Sequence, residues 1–285
     1  MKKQTKNLSL LLTIATIVAI LLSACCKDDH YCKDDTLAQR EVPVTDKIKG
    51  VIIEGAWEVA ITQADTDNSA VLEYCASLEK KIKAELLPNG YLHIKTSGNI
   101  KGRHTFRANI KAAALEKIDA SGAVIIRTYG QFGSLSTISL SGASKIDGLS
   151  CEGGTAKLTL SGASTLKDFI FNGNSIDANL SGASKATLDE VNIEQCKVDC
   201  SGSSTFDGSG YAAKTIFTGS GASNFKTLHL ESENLGIELS GGSSAEVTVN
   251  KSIKGRLTGA STLRYRKATN VNVDTEGGSK IIRID

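Results

Sequence analysis

The sequence says one phrase over and over. Ser-Gly-Ala-Ser begins at Ser141, Ser161, Ser181 and Ser220 and returns in altered form at Ser121, Ser201, Ser240, Thr258 and Glu276, with successive starts 20, 20, 20, 20, 19, 20, 18 and 18 residues apart. A fixed period of this size marks one supersecondary unit stacked on itself, each copy burying its apolar face only against its neighbours. Aligned on the first Ser, the preceding position holds Leu140, Leu160, Leu180, Cys200, Leu239 and Leu257. The position three before holds Ile118, Ile138, Leu158, Val198, Phe217, Ile237 and Val273. Polar residues such as Lys157, Thr159, Asn179, Asp199 and Glu238 alternate with them. That period of two identifies strands. Five residues after the Ser, apolar residues return at Ile126, Ile146, Leu166, Phe206, Phe225, Leu263 and Ile281, so a second inward strand follows each bend.

Within the phrase, the glycines from Gly122 to Gly277 supply a backbone free to take positive φ, and small neighbours let coils approach closely. Stacked serines are expected to form hydroxyl ladders, each donating to one rung and accepting from the next. About twenty residues at ~3.3 Å each make one circuit of a narrow coil, and coils ~4.8 Å apart would build a rod of roughly 40 Å. The expectation is an all-β chain forming a parallel β-helix, right-handed because parallel crossovers nearly always are. Two prolines in 285 residues fit a ladder that a proline would interrupt.

The start of the chain is different. Lys2, Lys3 and Lys6 precede an apolar run from Leu8 to Leu22, which reads as a cleaved targeting segment over residues 1–24. Leu22-Ser23-Ala24-Cys25 resembles a bacterial lipobox, which implies acylation of Cys25 and attachment to a membrane without spanning it. Cys26-Lys27-Asp28-Asp29, echoed at Cys32-Lys33-Asp34-Asp35, resembles the acidic export signal of Bacteroides-type lipoproteins. The implied location is the outer membrane, exposed at the cell surface, with a periplasm-facing orientation as the alternative. Residues 25–44 read as a solvated tether.

Residues 45–115 lack the phrase but keep strand signals at Val51 to Glu54, Trp57 to Thr62, Ala70 to Cys75 and Phe106 to Ala112. Ile82 to Leu87, Pro88-Asn89-Gly90 and Tyr91 to Lys95 spell a hairpin. A solenoid needs its end covered, so this part reads as a cap or first coils, with Glu54-Gly55-Ala56 as a remnant of the phrase, before the β-helix of residues 116–285. The lipobox, the opening Gly55-Ala-Trp-Glu-Val-Ala-Ile-Thr-Gln63 and the serial Leu-Ser-Gly-Ala-Ser phrases together resemble the putative auto-transporter adhesin, head GIN domain family. The resemblance covers about residues 45–283. It implies a β-helical envelope lipoprotein without catalytic residues to carry over. No Gly-Ile-Asn tripeptide occurs in this sequence, and no membrane barrel follows within it.

Without residues 1–24 the chain has 285 − 24 = 261 residues and 33 − 3 = 30 Lys and Arg against 31 Asp and Glu. A balance so near zero gives no electrostatic case for nucleic acid. Cys196 and Cys200 fall on inward positions of one strand, ~13 Å apart, beyond disulfide reach, and read as core residues. Cys75 and Cys151 are a candidate pair across rungs. With His30, His93, His104 and His229 scattered, no metal set and no cofactor site is expected.

An enzyme on this fold would need convergent carboxylates. Asp147, Glu152, Asp168, Asp189, Glu190, Asp207 and Glu246 read as solvated, in different places on successive rungs. Basic residues gather at Lys101, Arg103, His104, Arg107 and Lys111, and at Lys251, Lys254, Arg256, Arg264, Arg266 and Lys267. Of the aromatic candidates Trp57, Tyr91, Tyr211 and Tyr265, the last, flanked by Arg264 and Arg266, is the candidate ligand contact. The expected function is non-enzymatic: a lipid-anchored adhesin or assembly scaffold whose partners are the membrane and a host or bacterial glycan or surface protein. A carbohydrate-binding module of a polysaccharide-uptake system is the alternative, and a glycan-degrading enzyme a third reading.

Overall fold

A computed structural model describes residue 32, residues 36–101, residue 104 and residues 106–284 of the chain. The targeting segment, Cys25 and most of the acidic tether lie outside the described residues, as does Arg103. The described residues form a β-solenoid of about 8 turns with about 20 residues per coil. Their one helical element is a 3-10 turn at Ala76–Lys81, and among them no helix is long and apolar enough to cross a membrane.

The core columns stand where period two places them. Leu140 pairs with Leu160, Leu160 with Leu180, and Leu180 with Cys200. The column continues through Gly219 to Leu239 and Leu257. Each leucine is at most 2 % exposed, and burying such a side chain stabilises by about 1.5–3 kcal/mol. Gly219 leaves a gap that its neighbours fill. A Cβ there would lie 2.7 Å from Leu239 and 2.9 Å from Phe225, and Phe217 stacks on Phe225 with ring centroids 4.8 Å apart.

Between the two strands legible in the sequence lies a third inward stretch, with Leu149 and Cys151, Phe169 and Phe171, and Val191 and Ile193 all buried. Here strands run 16 residues without a break, as in Lys145–Leu160, Thr165–Leu180 and Lys185–Cys200. Bulges bend them around the corner, with Asp168 at φ 52° and Glu190 at φ 53°.

The turn of each coil is closed by backbone alone. Ala143, Ala163 and Ala183 each donate a backbone N–H to the carbonyl of the glycine one rung below, at 2.7 Å. Such closeness excludes side chains: at Gly162, φ is +72° and a Cβ would stand 2.6 Å from the carbonyl oxygen of Gly142. The expected hydroxyl ladder takes another form. The last Ser of the phrase, not the first, is buried, from Ser144 through Ser261 at 0–1 % exposure. Its hydroxyl donates mainly to backbone, as Ser164 does to the Leu140 carbonyl at 3.3 Å and Ser184 to that of Leu160 at 3.4 Å. Ser223 and Ser243 meet directly at 3.1 Å. A carbonyl has a second lone pair available after its ladder bond, and the buried hydroxyl can donate to it.

The cap reverses chain order. Strands β1 (Leu37–Glu41), β2 (Gly50–Gly55), β3 (Glu58–Gln63), β4 (Ser69–Cys75), β5 (Ile82–Leu86), β6 (Tyr91–Thr96), β7 (Phe106–Ala112), β8 (Lys117–Gly122) and β9 (Ile125–Tyr129) precede the regular coils. β2 pairs in parallel with both β6 and β8, and β3 with both β7 and β9. The first coil in sequence is therefore the second in space, enclosed between the β6–β7 coil and the β8–β9 coil. Gly55 stacks beneath Gly122, which makes the remnant phrase a true member of the turn column. The outer face is then covered by antiparallel strands, β5 on β6, β4 on β7 and β1 on β4. The hairpin read from Pro88-Asn89-Gly90 is present, with Gly90 at φ +80°. β1 lies inside the stretch expected to be tether, so the folded part begins earlier than residue 45.

The candidate Cys75–Cys151 pair is not formed: Cys75 is bonded to Cys32 instead, with Cα atoms 5.6 Å apart. Cys151 faces inward between Phe132 and Phe171 in its column, on a strand that neighbours β9 and is separated from β4, which carries Cys75, by β9, β3 and β7. Cys151, Cys196 and Cys200 are free and buried, and burial pushes each thiol up to about 12. In the chain from Lys27 onward, alkylation of the native protein is expected to label none of its five cysteines. Denaturation should open three to the reagent and reduction all five, counted by mass spectrometry. Gly162→Ala is expected to cost about 2–4 kcal/mol in urea unfolding. Gly154→Ala, where a Cβ meets nothing within 4 Å, should stay within about 0.5 kcal/mol of the parent.

Candidate functional surface

With the interior filled mainly by packed apolar side chains, recognition belongs to the outward residues, which stacking arranges in columns along the rod. The basic cluster near the far end is largely engaged. Lys251 meets Glu233 at 2.9 Å, Arg256 meets Glu276 at 2.5 Å, Lys267 meets Glu231 at 2.8 Å and Arg264 approaches Glu246 at 4.0 Å. In the cap cluster, Arg107 pairs with Glu58 at 3.3 Å and His104 contacts the Lys101 carbonyl at 2.7 Å. The ion pairs among these contacts lie at the surface, where they add little stability but offset free positive charge.

The candidate contact at Tyr265 divides in two. Leu263 and Tyr265 share the inward face of Thr262–Lys267, with Tyr265 in register with buried Val247 and packed against the core. Arg264 and Arg266 are exposed on the opposite face. Sequence neighbours on a strand point apart, so the three do not make one surface. Arg264 lines instead a shallow cleft of about 350 Å³ with Ser244, Glu246 and Thr262.

The other aromatic candidates also separate. Trp57 is 1 % exposed and packs on Phe106. Tyr91 is half-buried with the Lys117 ammonium 5.9 Å from its ring centroid. Tyr211 is 37 % exposed and points outward. Sequence reasoning passed over Tyr129, which is 53 % exposed. Its signal was the adjacent Gly130, at φ +93°, where the strand breaks.

The carboxylates are less dispersed than their sequence offsets suggest. Burial and the charges of Asp168, Asp207 and Glu190 raise the Asp189 carboxyl above its ordinary value. The bulges at Asp168 and Glu190 absorb residues at the corner, bringing unequal offsets together. Lys167 sits among them, 3.0 Å from Asp168, and its ammonium is raised by Asp168, Asp147 and Asp189. Among the described residues no group of three or more His, Cys, Asp or Glu is placed to hold a metal ion. In the cap, the His93 and Lys95 hydrogen bonds lower the Glu54 carboxyl.

Together these observations define a class: a β-solenoid displaying columns of polar side chains on a rigid coil. Comparison gives the family. Its profile, described as Putative auto-transporter adhesin, head GIN domain, matches residues 47–269, and the chain belongs to that family. Among solved structures, a putative adhesin from Parabacteroides merdae aligns at TM-score 0.66 and 14 % identity, covering 88 % of this chain and 98 % of that one. A putative lipid binding protein from Parabacteroides distasonis aligns at TM-score 0.63 and 12 % identity with the same coverages. A putative adhesin from Parabacteroides distasonis aligns at 0.59 and 16 %, again covering 88 % and 98 %. At these identities the likeness is one of fold. No curated protein matches the chain.

Because Asp189 is raised, its ionised form opposes folding. A raised carboxyl favours the fold most below its unfolded value and loses that advantage as pH climbs through the folded value. Asp189→Asn should therefore raise the melting temperature at pH 7. The gain should vanish as pH falls below the ordinary aspartate value of 3.8, read by circular dichroism melts across pH.

Proposed function

We propose that this chain is a lipid-anchored envelope protein that displays its solenoid outside the outer membrane as a non-enzymatic adhesion or assembly surface. Acylation at Cys25 would hold it to the membrane, and the acidic segment after it would direct it outward. The single observation that supports this best is the turn column running from Gly55 to Gly277. It holds outward residues in fixed columns over the whole length, which suits repeated contacts with an extended partner. Adhesin-like relatives of the same fold support the reading.

On whole cells with an intact outer membrane, added protease is expected to remove the protein, and Cys25→Ser is expected to abolish labelling with radioactive palmitate. Full protection from protease would overturn the outward orientation, and palmitate incorporation into the Cys25→Ser protein would overturn the anchor. Turnover of a glycan by the purified protein, lost on replacing one carboxylate, would overturn the non-enzymatic reading.

A further inference from the structure

Register carries one outward column across five consecutive coils. Glu152 pairs with Asn172, Asn172 with Asn192, Asn192 with Tyr211, and Tyr211 with Glu231. Tyr211 is the aromatic member, and its own strand leaves it clear. Gly210 before it has no side chain and takes φ +111°, while Ala212 after it turns inward and is fully buried. Asn172 and Asn192 are exposed, and their primary amides both donate and accept.

The column continues above Tyr211 into fixed groups. The Lys267 ammonium holds Glu231 Oε1 at 2.8 Å and helps lower its carboxyl. Lys251 holds Glu233 at 2.9 Å, and the Asn250 amide donates to the same Glu233 at 3.2 Å. A carboxylate has about four lone-pair directions, so Glu231 keeps acceptor capacity beyond its lysine.

We propose that Tyr211, with Asn192 on the coil below and Glu231 on the coil above, forms a binding site for a neutral oligosaccharide laid along the rod. A sugar ring has an apolar C–H face that can lie on an aromatic ring, and hydroxyls at its edge that pair with amides and carboxylates. The column supplies an amide, an aromatic ring and a carboxylate on successive coils, at ~4.8 Å steps with the ring in the middle. Charge selects neutral over acidic sugars. Lys251 and Lys267 are engaged by Glu233 and Glu231, and Glu152 adds negative charge farther down the column. The site deepens the proposed adhesive function by naming a ligand class and a place. It differs from the Tyr265 candidate because here the aromatic and polar groups share one face.

The test is titration of the soluble chain from Lys27 onward with cellotetraose, mannotetraose and chitotetraose, and with heparin tetrasaccharide as the acidic probe. At least one neutral tetrasaccharide should bind saturably. Tyr211→Ala should weaken it about tenfold or more, Tyr211→Phe should retain it, and Glu231→Gln should weaken it severalfold. Tyr129→Ala should leave it unchanged. Unchanged melting temperatures would confirm that outward substitutions spare the fold. Blank titrations with all three neutral probes to about 10 mM, full binding by Tyr211→Ala, or tighter binding of the heparin probe would each overturn the site. None of these outcomes would alter the whole-cell protease result, so the site and the surface location fail separately.

Discussion

The fold depends on one contact repeated coil after coil: the N–H of the residue after each turn glycine meeting the glycine carbonyl below it at about 2.7 Å. That contact sets the turns close enough for buried serines to satisfy leftover carbonyl lone pairs. It also brings the leucines of adjacent coils into stacked columns. A side chain at any glycine of the column would push against backbone, which cannot step aside as a rotamer can. The repeat in sequence is thus the trace of a steric limit, enforced at every coil because every coil is the floor of the next.

Period two at fixed offsets from the phrase was enough to place Leu140, Leu160 and Leu180 in one column and to find the hairpin at Asn89-Gly90. The third inward stretch escaped because its bulges shift the alternation: Asp168 and Glu190 each absorb a residue at a corner, and a simple two-residue count loses phase there. The same slip hid the gathering of acidic residues around Asp189. The Cys32–Cys75 bridge was illegible because connectivity follows the cap's antiparallel cover, which no repeat announces. Tyr265 looked flanked by arginines in one dimension, while the pleat sends it to the other side. Tyr211 was visible as an aromatic, but its column with Asn192 and Glu231 exists only once coils of 19 and 20 residues are put in register.

The two ends of the rod differ in kind. At the beginning, parallel pairing gives way to antiparallel strands, a disulfide and the linked groups Arg40, Tyr74 and Glu79. Such a cover blunts the tendency of an open sheet edge to recruit another strand. Toward the other end, Val271, Val273 and Ile281 are only partly buried against the core. Cohesion is therefore graded along the axis, greatest where each coil has neighbours on both sides.

The inverted order of the first coils bears on how the molecule is made. A chain that emerges amino end first, from a ribosome or through a translocation pore, presents residues 50–63 early. They have no lasting neighbours until residues 91–112 have folded back beneath them and residues 117–129 have arrived above. The strand partners of this opening segment lie roughly forty to seventy residues later in the chain. The floor of the regular solenoid is thus a three-layer interleaving of early and late segments, complete only when all three are in place, and the regular coils stack onto it.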